Sequence, residues 1–173
     1  MALVFPYILL ANGIYSGLIT GISSLTLGTC SMIGSIYSHK NPDADKCIRK
    51  LDLERKLKLI ESVLNKSNVN SSRNIFRDKI GTESIIFDVV EGENTIMEDP
   101  IKLCLHYLHQ AVEEIHNSIK KIHDKVSYHK TKWFSTWRTL NIKKQIEELE
   151  HSTKILDDRF NDLIKISQFY GKQ

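Results

Sequence analysis

The chain lacks charge where it begins: no Asp, Glu, Lys, Arg or His occurs among the first 38 residues, and His39 and Lys40 end this stretch. A helix needs about 20 mostly apolar residues to cross the hydrocarbon core of a bilayer. We therefore expect residues 7–38 to form one membrane-spanning helix. Two short re-entrant helices are the alternative, because residues 28–34 have weak helix propensity.

The N-terminus also lacks the basic region of a secretory signal peptide, and its apolar stretch exceeds the about 7–15 residues of a signal core. We therefore expect the segment to be retained as an anchor. Positive charge close behind a span usually stays in the cytoplasm. This predicts a single-pass protein with a translocated N-terminus and a cytosolic C-terminal part. The basic residues behind the span are Lys40, Lys46, Arg49, Lys50, Arg55, Lys56 and Lys58.

Cysteine is scarce, and Cys30, Cys47 and Cys104 have no CxxC spacing, which argues against a disulfide framework or a zinc knuckle. No Walker or dinucleotide-binding glycine loop and no recognisable nucleophile motif occurs. Basic residues are interleaved with acidic ones and only 8% of residues are aromatic, which argues against a nucleic-acid groove. We expect no enzymatic activity, no cofactor, no nucleic-acid partner and no small-molecule substrate.

Small residues recur every four positions in the apolar segment, at Gly13, Gly17 and Gly21, and a neighbouring stripe continues to Gly28. Such a stripe allows a second helix to approach closely. We predict a membrane helix-packing face at Gly13, Gly17, Gly21 and Gly28. The alternative is that glycine is simply common in membrane helices.

Residues 41–98 form the linking part of the chain. Asn41 and Pro42 are a preferred N-cap and first helical residue, which predicts an amphipathic helix that starts here. We expect it to end near Lys66, because residues 67–72 read as a polar loop. Residues 84–96 are rich in Ile, Val and Phe before a Gly-containing turn, which predicts a short β element.

Residues 99–173 contain two runs of apolar residues with the seven-residue period of a coiled coil. The seven residues between the runs, 134–140, are few enough to force an antiparallel hairpin, so Ile115 and Ile119 should face Leu149, Thr153 and Leu156. Two helices alone bury too little apolar surface to be stable, so residues 48–64 or partner chains should cover the hairpin. The predicted fold is mainly α: a transmembrane anchor (1–40), the linking part (41–98) and the hairpin (99–173).

Seven histidines raise a metal hypothesis, and two ExxH motifs, ending at His116 and His151, have the spacing of di-iron bundles. In the heptad register their ligands do not converge, so we expect no metal site. His109, His116 and His123 recur every seven residues along one flank of the first arm. Two interpretations stay open for them: a partly solvated interface edge, or a pH-responsive contact.

The expected hairpin tip combines aromatic and basic side chains in the segment HKTKWFSTWR. Trp and Arg are frequent interface hot spots. We therefore predict partner docking there, and the alternatives are a hydrophobic plug and a membrane-interface belt. The docking residues would be Trp133, Phe134, Trp137 and Arg138.

The Ile/Asn/Lys-rich composition, the single N-terminal span and the charged hairpin with HKTKWFSTWR resemble small membrane-anchored structural proteins of nucleocytoplasmic large DNA viruses. The resemblance implies a minor capsid protein that bridges the inner membrane of the virion and its capsid shell. From the residues alone, we expect a scaffold that tethers a lipid bilayer to a protein assembly roughly 40 Å away. The alternatives are an accessory subunit of a multi-helix membrane complex, mitochondrial for example, and a pore-forming protein.

Overall fold

The computed structural model describes residues 15–39, 41–77, 99–132 and 140–170, with the side chains of residues 66–77 and 170 left aside. The described residues form five helices and no strand, which confirms a mainly α fold. The β element expected at residues 84–96 lies outside the described residues. The helices are α1 (Ser16–Ser38), α2 (Pro42–Lys50), α3 (Leu53–Arg77), α4 (Pro100–Lys130) and α5 (Lys143–Tyr170).

α1 is one continuous helix, although it contains several residues of weak helix propensity. It passes through residues 28–34 without a break, so within the described residues the apolar segment is a single helix and not a re-entrant pair. The buried hydroxyls of Thr26 and Thr29 donate to the carbonyl oxygens of Ser23 and Leu25, at 2.8 and 2.7 Å. Because these groups are satisfied within their own helix, α1 tolerates them in apolar surroundings.

The linking part begins as the sequence predicts but continues differently. Asn41 caps α2, since its side-chain oxygen accepts from the backbone N–H of Ala44 at 3.0 Å, and Pro42 is the first helical residue. The helix breaks after Lys50, where Asp52 adopts a left-handed φ of 51°, a conformation that Asp tolerates better than most residues. α3 then starts at Leu53.

The predicted polar loop at residues 67–72 is wrong, because α3 is helical through to Arg77. Ser and Asn lower helix propensity by only about 0.5 kcal/mol each relative to the best helix formers. A helix that has already formed adds each further residue at little cost, since nucleation is the expensive step. A cluster of Ser and Asn is therefore insufficient to end a helix.

α4 and α5 run in opposite directions. Lys121 lies 3.2 Å from Glu148 and Lys125 lies 3.0 Å from Gln145, so numbers rise along α4 as they fall along α5. The antiparallel hairpin is thereby confirmed. Lys56 of α3 pairs with Asp157 of α5 at 2.6 Å, which places α3 beside α5.

α1 runs parallel to α4, along a different flank of that helix from α5. The Tyr15 hydroxyl, just before α1, donates to the Asp99 carboxylate that caps α4. Further along, Ser35 of α1 meets His123 of α4. α1, α3, α4 and α5 thus form a four-helix bundle, in which α2 connects α1 and α3 at one end.

All five helices contribute to one hydrophobic core. Ile115, Ile119, Leu149, Thr153 and Leu156 are at most 2% exposed, as the predicted pairing of the hairpin requires. α3 packs mainly against α1, adds a buried stripe to the same core and pairs with α5 through Lys56 and Asp157, so residues 48–64 cover part of the hairpin. α1 adds a further stripe that the sequence did not suggest. The buried aliphatic residues of these two stripes are Leu53, Leu57, Ile60 and Leu64 of α3 and Ile19, Ile22, Ile33 and Ile36 of α1.

Candidate functional site: the histidine seam

Two seven-residue repeats meet where α1 lies along α4. On α4 the repeat consists of histidines, and on α1 it consists of small residues. Because the helices are parallel and both repeats are seven residues long, a histidine meets a small residue once every two helical turns. We call this contact the histidine seam; its members are His109, His116 and His123 of α4 and Gly21, Gly28 and Ser35 of α1.

The glycines of the seam make room for imidazole rings. A Cβ atom on Gly21 would lie 3.0 Å from Nε2 of His109, and one on Gly28 would lie 3.4 Å from Cε1 of His116. At Gly17 a Cβ would meet nothing within 4 Å. Of the four glycines predicted to form a packing face, Gly21 and Gly28 contact a helix, Gly17 faces open space and Gly13 lies outside the described residues. The helix contacted is α4 of the same chain.

His116 makes the contact at the centre of the seam. Its Nδ1 lies 3.0 Å from the hydroxyl oxygen of Thr29. The Thr29 hydroxyl already donates its hydrogen to Leu25, so towards the histidine it accepts. This geometry matches the tautomer of His116 that carries its hydrogen on Nδ1.

The far end of the seam holds a pair of histidines. Nε2 of His123 lies 3.1 Å from the Ser35 hydroxyl, and its Nδ1 lies 3.3 Å from a carboxylate oxygen of Asp124. His39, just after α1, stacks on His123 with ring centroids 6.3 Å apart. Nε2 of His39 also lies 3.2 Å from the hydroxyl of Ser127. His39, just after α1, and His123 of α4 thus bring two imidazoles to the same contact.

The seam is a contact between small or polar groups of α1 and the imidazoles of α4. It combines imidazoles with hydroxyls and glycine backbone, and α1 brings neither carboxylate nor ammonium to it. Among the described residues no three His, Cys, Asp or Glu side chains converge on a metal position. The sequence contains a signal for the seam, because Gly21, Gly28 and Ser35 share the spacing of the three histidines, but nothing in either repeat specifies the other as its partner.

Cys47 and Cys104 lie where burial raises the pKa of the thiol. Burial raises the pKa of the Cys47 thiol, the Glu150 carboxylate raises it further, and the Lys50 ammonium opposes them. Burial likewise raises the pKa of Cys104. A thiol with a raised pKa is protonated at neutral pH and reacts slowly.

The predicted docking residues at the hairpin tip, Trp133, Phe134, Trp137 and Arg138, lie outside the described residues. A cavity of about 420 Å³ lies between α2 and the start of α5. Its lining combines apolar residues, such as Leu140 and Ile146, with Lys46, Lys50 and Glu150. Docking by the tip stays a prediction.

The side of α1 that faces away from the bundle is uncharged. Its exposed side chains are small or polar apart from Leu27, which is 57% exposed. α1 is long and apolar enough to cross a membrane. This length and composition fit a membrane span, a signal sequence and a buried core helix alike.

The molecule is therefore a helical bundle with one apolar helix near its N-terminus and a histidine-lined contact on that helix. The chain belongs to the family of protein L717, an uncharacterized protein of Acanthamoeba polyphaga mimivirus. The two are 42% identical over an alignment of 172 residues that covers 96% of this chain and 82% of the relative. This supports the relation to nucleocytoplasmic large DNA viruses that the composition and plan of the chain indicated. No protein-family model and no solved structure matches the chain.

Proposed function

We propose that the protein is a non-enzymatic structural protein that tethers a lipid bilayer to a protein layer, with the segment that ends at Ser38 as its membrane anchor. In a virus related to mimivirus, the bilayer would be the inner membrane of the virion and the protein layer its capsid. The basic residues of α2 and early α3 would stay on the cytosolic side, with the N-terminus translocated.

The observation that carries this proposal is that α1 is uncharged around its whole circumference. A helix that only forms one wall of a water-soluble bundle normally carries charge on its outer face, as α5 does at Lys154, Asp158 and Lys165. At 23 residues α1 is about 34 Å long, slightly more than a hydrocarbon core of about 30 Å. Its buried threonine hydroxyls are satisfied within the helix, as a bilayer requires.

α1 then has two alternative positions: docked on α4, or inserted in lipid. The isoleucines that it buries in the bundle are equally well accommodated by lipid. Insertion uncovers the apolar stripe of α4, so we expect a protein partner to cover that face in the assembly. Trp133, Phe134, Trp137 and Arg138 stay the proposed docking residues at the hairpin tip.

A pair of matched substitutions tests the anchor. Leu27 lies at the middle of α1 and is 57% exposed, and Leu59 on α3 is 52% exposed, so Lys at either position leaves the core of the docked bundle intact. A Lys at the centre of a membrane span costs about 2.5–3.5 kcal/mol, which corresponds to roughly a hundredfold loss of insertion. Leu27→Lys should therefore release the protein from membranes under alkaline carbonate extraction, whereas Leu59→Lys should leave it bound.

Equal retention of the two variants, or release of the unmodified protein by carbonate, would contradict anchoring by α1. Vesicles loaded with dye distinguish the remaining membrane function. A tether leaves the dye inside the vesicles, and a pore-forming protein releases it.

A further inference from the structure

A second cavity, of about 420 Å³, lies at the corner where α2 turns into α3, beside the last turn of α1. We call it the corner cavity. Tyr37 of α1 and the buried aliphatic side chains of Ile48 and Leu53 form its uncharged walls. Its charged lining residues are Arg49, Asp52, Glu54, Arg55 and Lys58.

We infer that the corner cavity binds a phosphoethanolamine group, with its phosphate on Arg49 and its ammonium on the carboxylates of Asp52 and Glu54. A phosphatidylethanolamine headgroup and a soluble phosphoethanolamine ester share this chemistry. The lipid as its source rests on the proposed function, whereas recognition of the group does not.

Arg49 is the lining cation best placed to take a phosphate. Its Cζ lies 4.6 Å from the centroid of the Tyr37 ring. The ion pairs among the described residues do not include Arg49, although its side chain is exposed. A guanidinium held over a ring keeps its N–H groups for hydrogen bonds, and its planar fork matches two oxygens of a phosphate.

The two carboxylates of the cavity are paired, but weakly. Asp52 lies 3.2 Å from Arg55, and Glu54 lies 2.6 Å from Lys58. Both are pairs within one helical turn whose side chains are open to solvent. Because such exposed pairs add little stability, either carboxylate can exchange its partner for the ammonium of a ligand. The cation that this frees can then contact the phosphate.

The balance of charge decides which class of ligand fits. The lining residues supply three cations and two carboxylates. Asp45 supplies a third carboxylate, since it lies one turn before Arg49 on α2 and close enough to Tyr37 to interact with it electrostatically. The corner therefore has no excess of positive charge that would attract a free anion from a distance. A zwitterion matches both signs.

The kind of ammonium follows from the groups that face it. A primary ammonium donates three hydrogen bonds, which carboxylates accept. A quaternary ammonium donates none and is recognised by open aromatic faces. Tyr37 is the aromatic residue among the described lining residues, and Arg49 already lies over its ring. Phosphoethanolamine therefore fits the cavity better than phosphocholine.

The position of the cavity suits a lipid headgroup. Tyr37 belongs to the last turn of the proposed anchor, and tyrosine is enriched at the level of the headgroups. The lining residues come from α1, α2, α3 and the break between α2 and α3. Release of α1 from α4 therefore removes no wall of the corner cavity.

Titration of the full-length chain with phosphoethanolamine and with phosphocholine, followed by phosphorus NMR of the probe, tests the cavity. Phosphoethanolamine should bind about tenfold more tightly, and Arg49→Gln should weaken its binding about tenfold, because a charge-assisted hydrogen bond is lost. Arg159→Gln is the matched control, since Arg159 is also exposed and lies over a tyrosine, 4.9 Å from the centroid of Tyr107. It should change binding by less than about twofold, because salt screens a distant charge.

A second variant tests the carboxylates with little effect on the backbone. Asp52 has a left-handed φ of 51°, which Asn tolerates as well as Asp. The double variant Asp52→Asn, Glu54→Gln should remove the preference for phosphoethanolamine over phosphocholine. The site is overturned if the unmodified chain binds both probes equally or binds neither. It is also overturned if Arg49→Gln and Arg159→Gln weaken binding equally, or if the double variant keeps the preference.

Flotation with phosphatidylcholine vesicles, with and without phosphatidylethanolamine, identifies the source of the group. An increase in binding with phosphatidylethanolamine that Arg49→Gln abolishes supports the lipid headgroup. Binding of the soluble probe without this increase contradicts the lipid as the source.

Alkaline carbonate extraction separates the cavity from the anchor. Retention in membranes of a chain that binds neither soluble probe contradicts the cavity and leaves the anchor standing. Release of a chain that binds phosphoethanolamine contradicts the anchor and supports the cavity.

Discussion

α1 and α5 pack along the same helix, α4, by different chemistry. The α4–α5 contact is antiparallel, with apolar residues at its centre and pairs such as Lys121 with Glu148 at its edge. The α1–α4 contact is parallel, and its edge consists of glycine, hydroxyl and imidazole groups. Both contacts bury large aliphatic side chains, so their difference lies at the edges. The groups at the edge of a contact decide whether its stability depends on salt concentration.

The edge pairs of α5 are exposed ion pairs, which depend on salt concentration. The edge of α1 contains no ion pair, because α1 carries no charged side chain, so we expect this contact to be insensitive to salt. One helix, α4, thus has ion pairs at the edge of one contact and uncharged groups on the α1 side of the other.

The largest effect is expected for a substitution in the hydrophobic core, because the core stabilises the whole bundle. Ile119 is fully buried, so Ile119→Ala should lower the free energy of unfolding by about 2–4 kcal/mol, through lost burial and the cavity left behind. Denaturation of the full-length chain by urea measures this. The control Tyr128→Ala, at a side chain that is 63% exposed, should change stability by less than about 0.5 kcal/mol. A similar small loss for Ile119→Ala would show that the two helices do not face each other as described.

An intermediate effect is expected where only the α1 contact is disturbed. Gly21→Leu places a side chain against the ring of His109 and should destabilise docking by about 1–3 kcal/mol. Gly17→Leu meets open space and should be neutral, or stabilising by up to about 1 kcal/mol through helix propensity. Hydrogen exchange should show loosening confined to α1 in the first variant. Equal effects of the two substitutions would contradict the seam.

The smallest effect is expected for the ion pair between Lys56 and Asp157, whose side chains are 31% and 43% exposed. A double-mutant cycle with Lys56→Met and Asp157→Asn should give a coupling free energy of about 0.2–1 kcal/mol that decreases in high salt. The exchange of α1 at neutral pH should be insensitive to the same salt. A coupling free energy that does not change with salt would contradict the expected salt dependence of the ion pairs of α5.

Local patterns predicted much of this fold because they act within one helix or between neighbours in sequence. The caps at Asn41 and Asp99 and the buried pairing of Ile119 with the second arm follow from such patterns. The docking of α1 on α4 could not be derived in this way. Thr29 and His116 are 87 positions apart, and nothing in the spacing of either repeat specifies its partner.

The candidate site was predicted as two halves. The sequence predicts Gly21 and Gly28 as part of a face for another membrane helix, and the histidines as either an interface edge or a pH-responsive contact. The glycine face and the histidine edge are both packing surfaces, and they pack against each other. The absence of charge up to Ser38 favoured a membrane partner, because an apolar helix satisfies the requirements of lipid and of a protein core equally well.

The pairing of α1 with α4 also sets an order of events during synthesis. About 90 residues must be added after Ser38 before α4 is complete, which takes roughly 5–20 s at typical translation rates. Throughout that interval the nascent helix has no α4 to cover it, while any membrane near the ribosome is already present. The first partner available to α1 is therefore decided by where the chain is made, before the rest of the bundle exists.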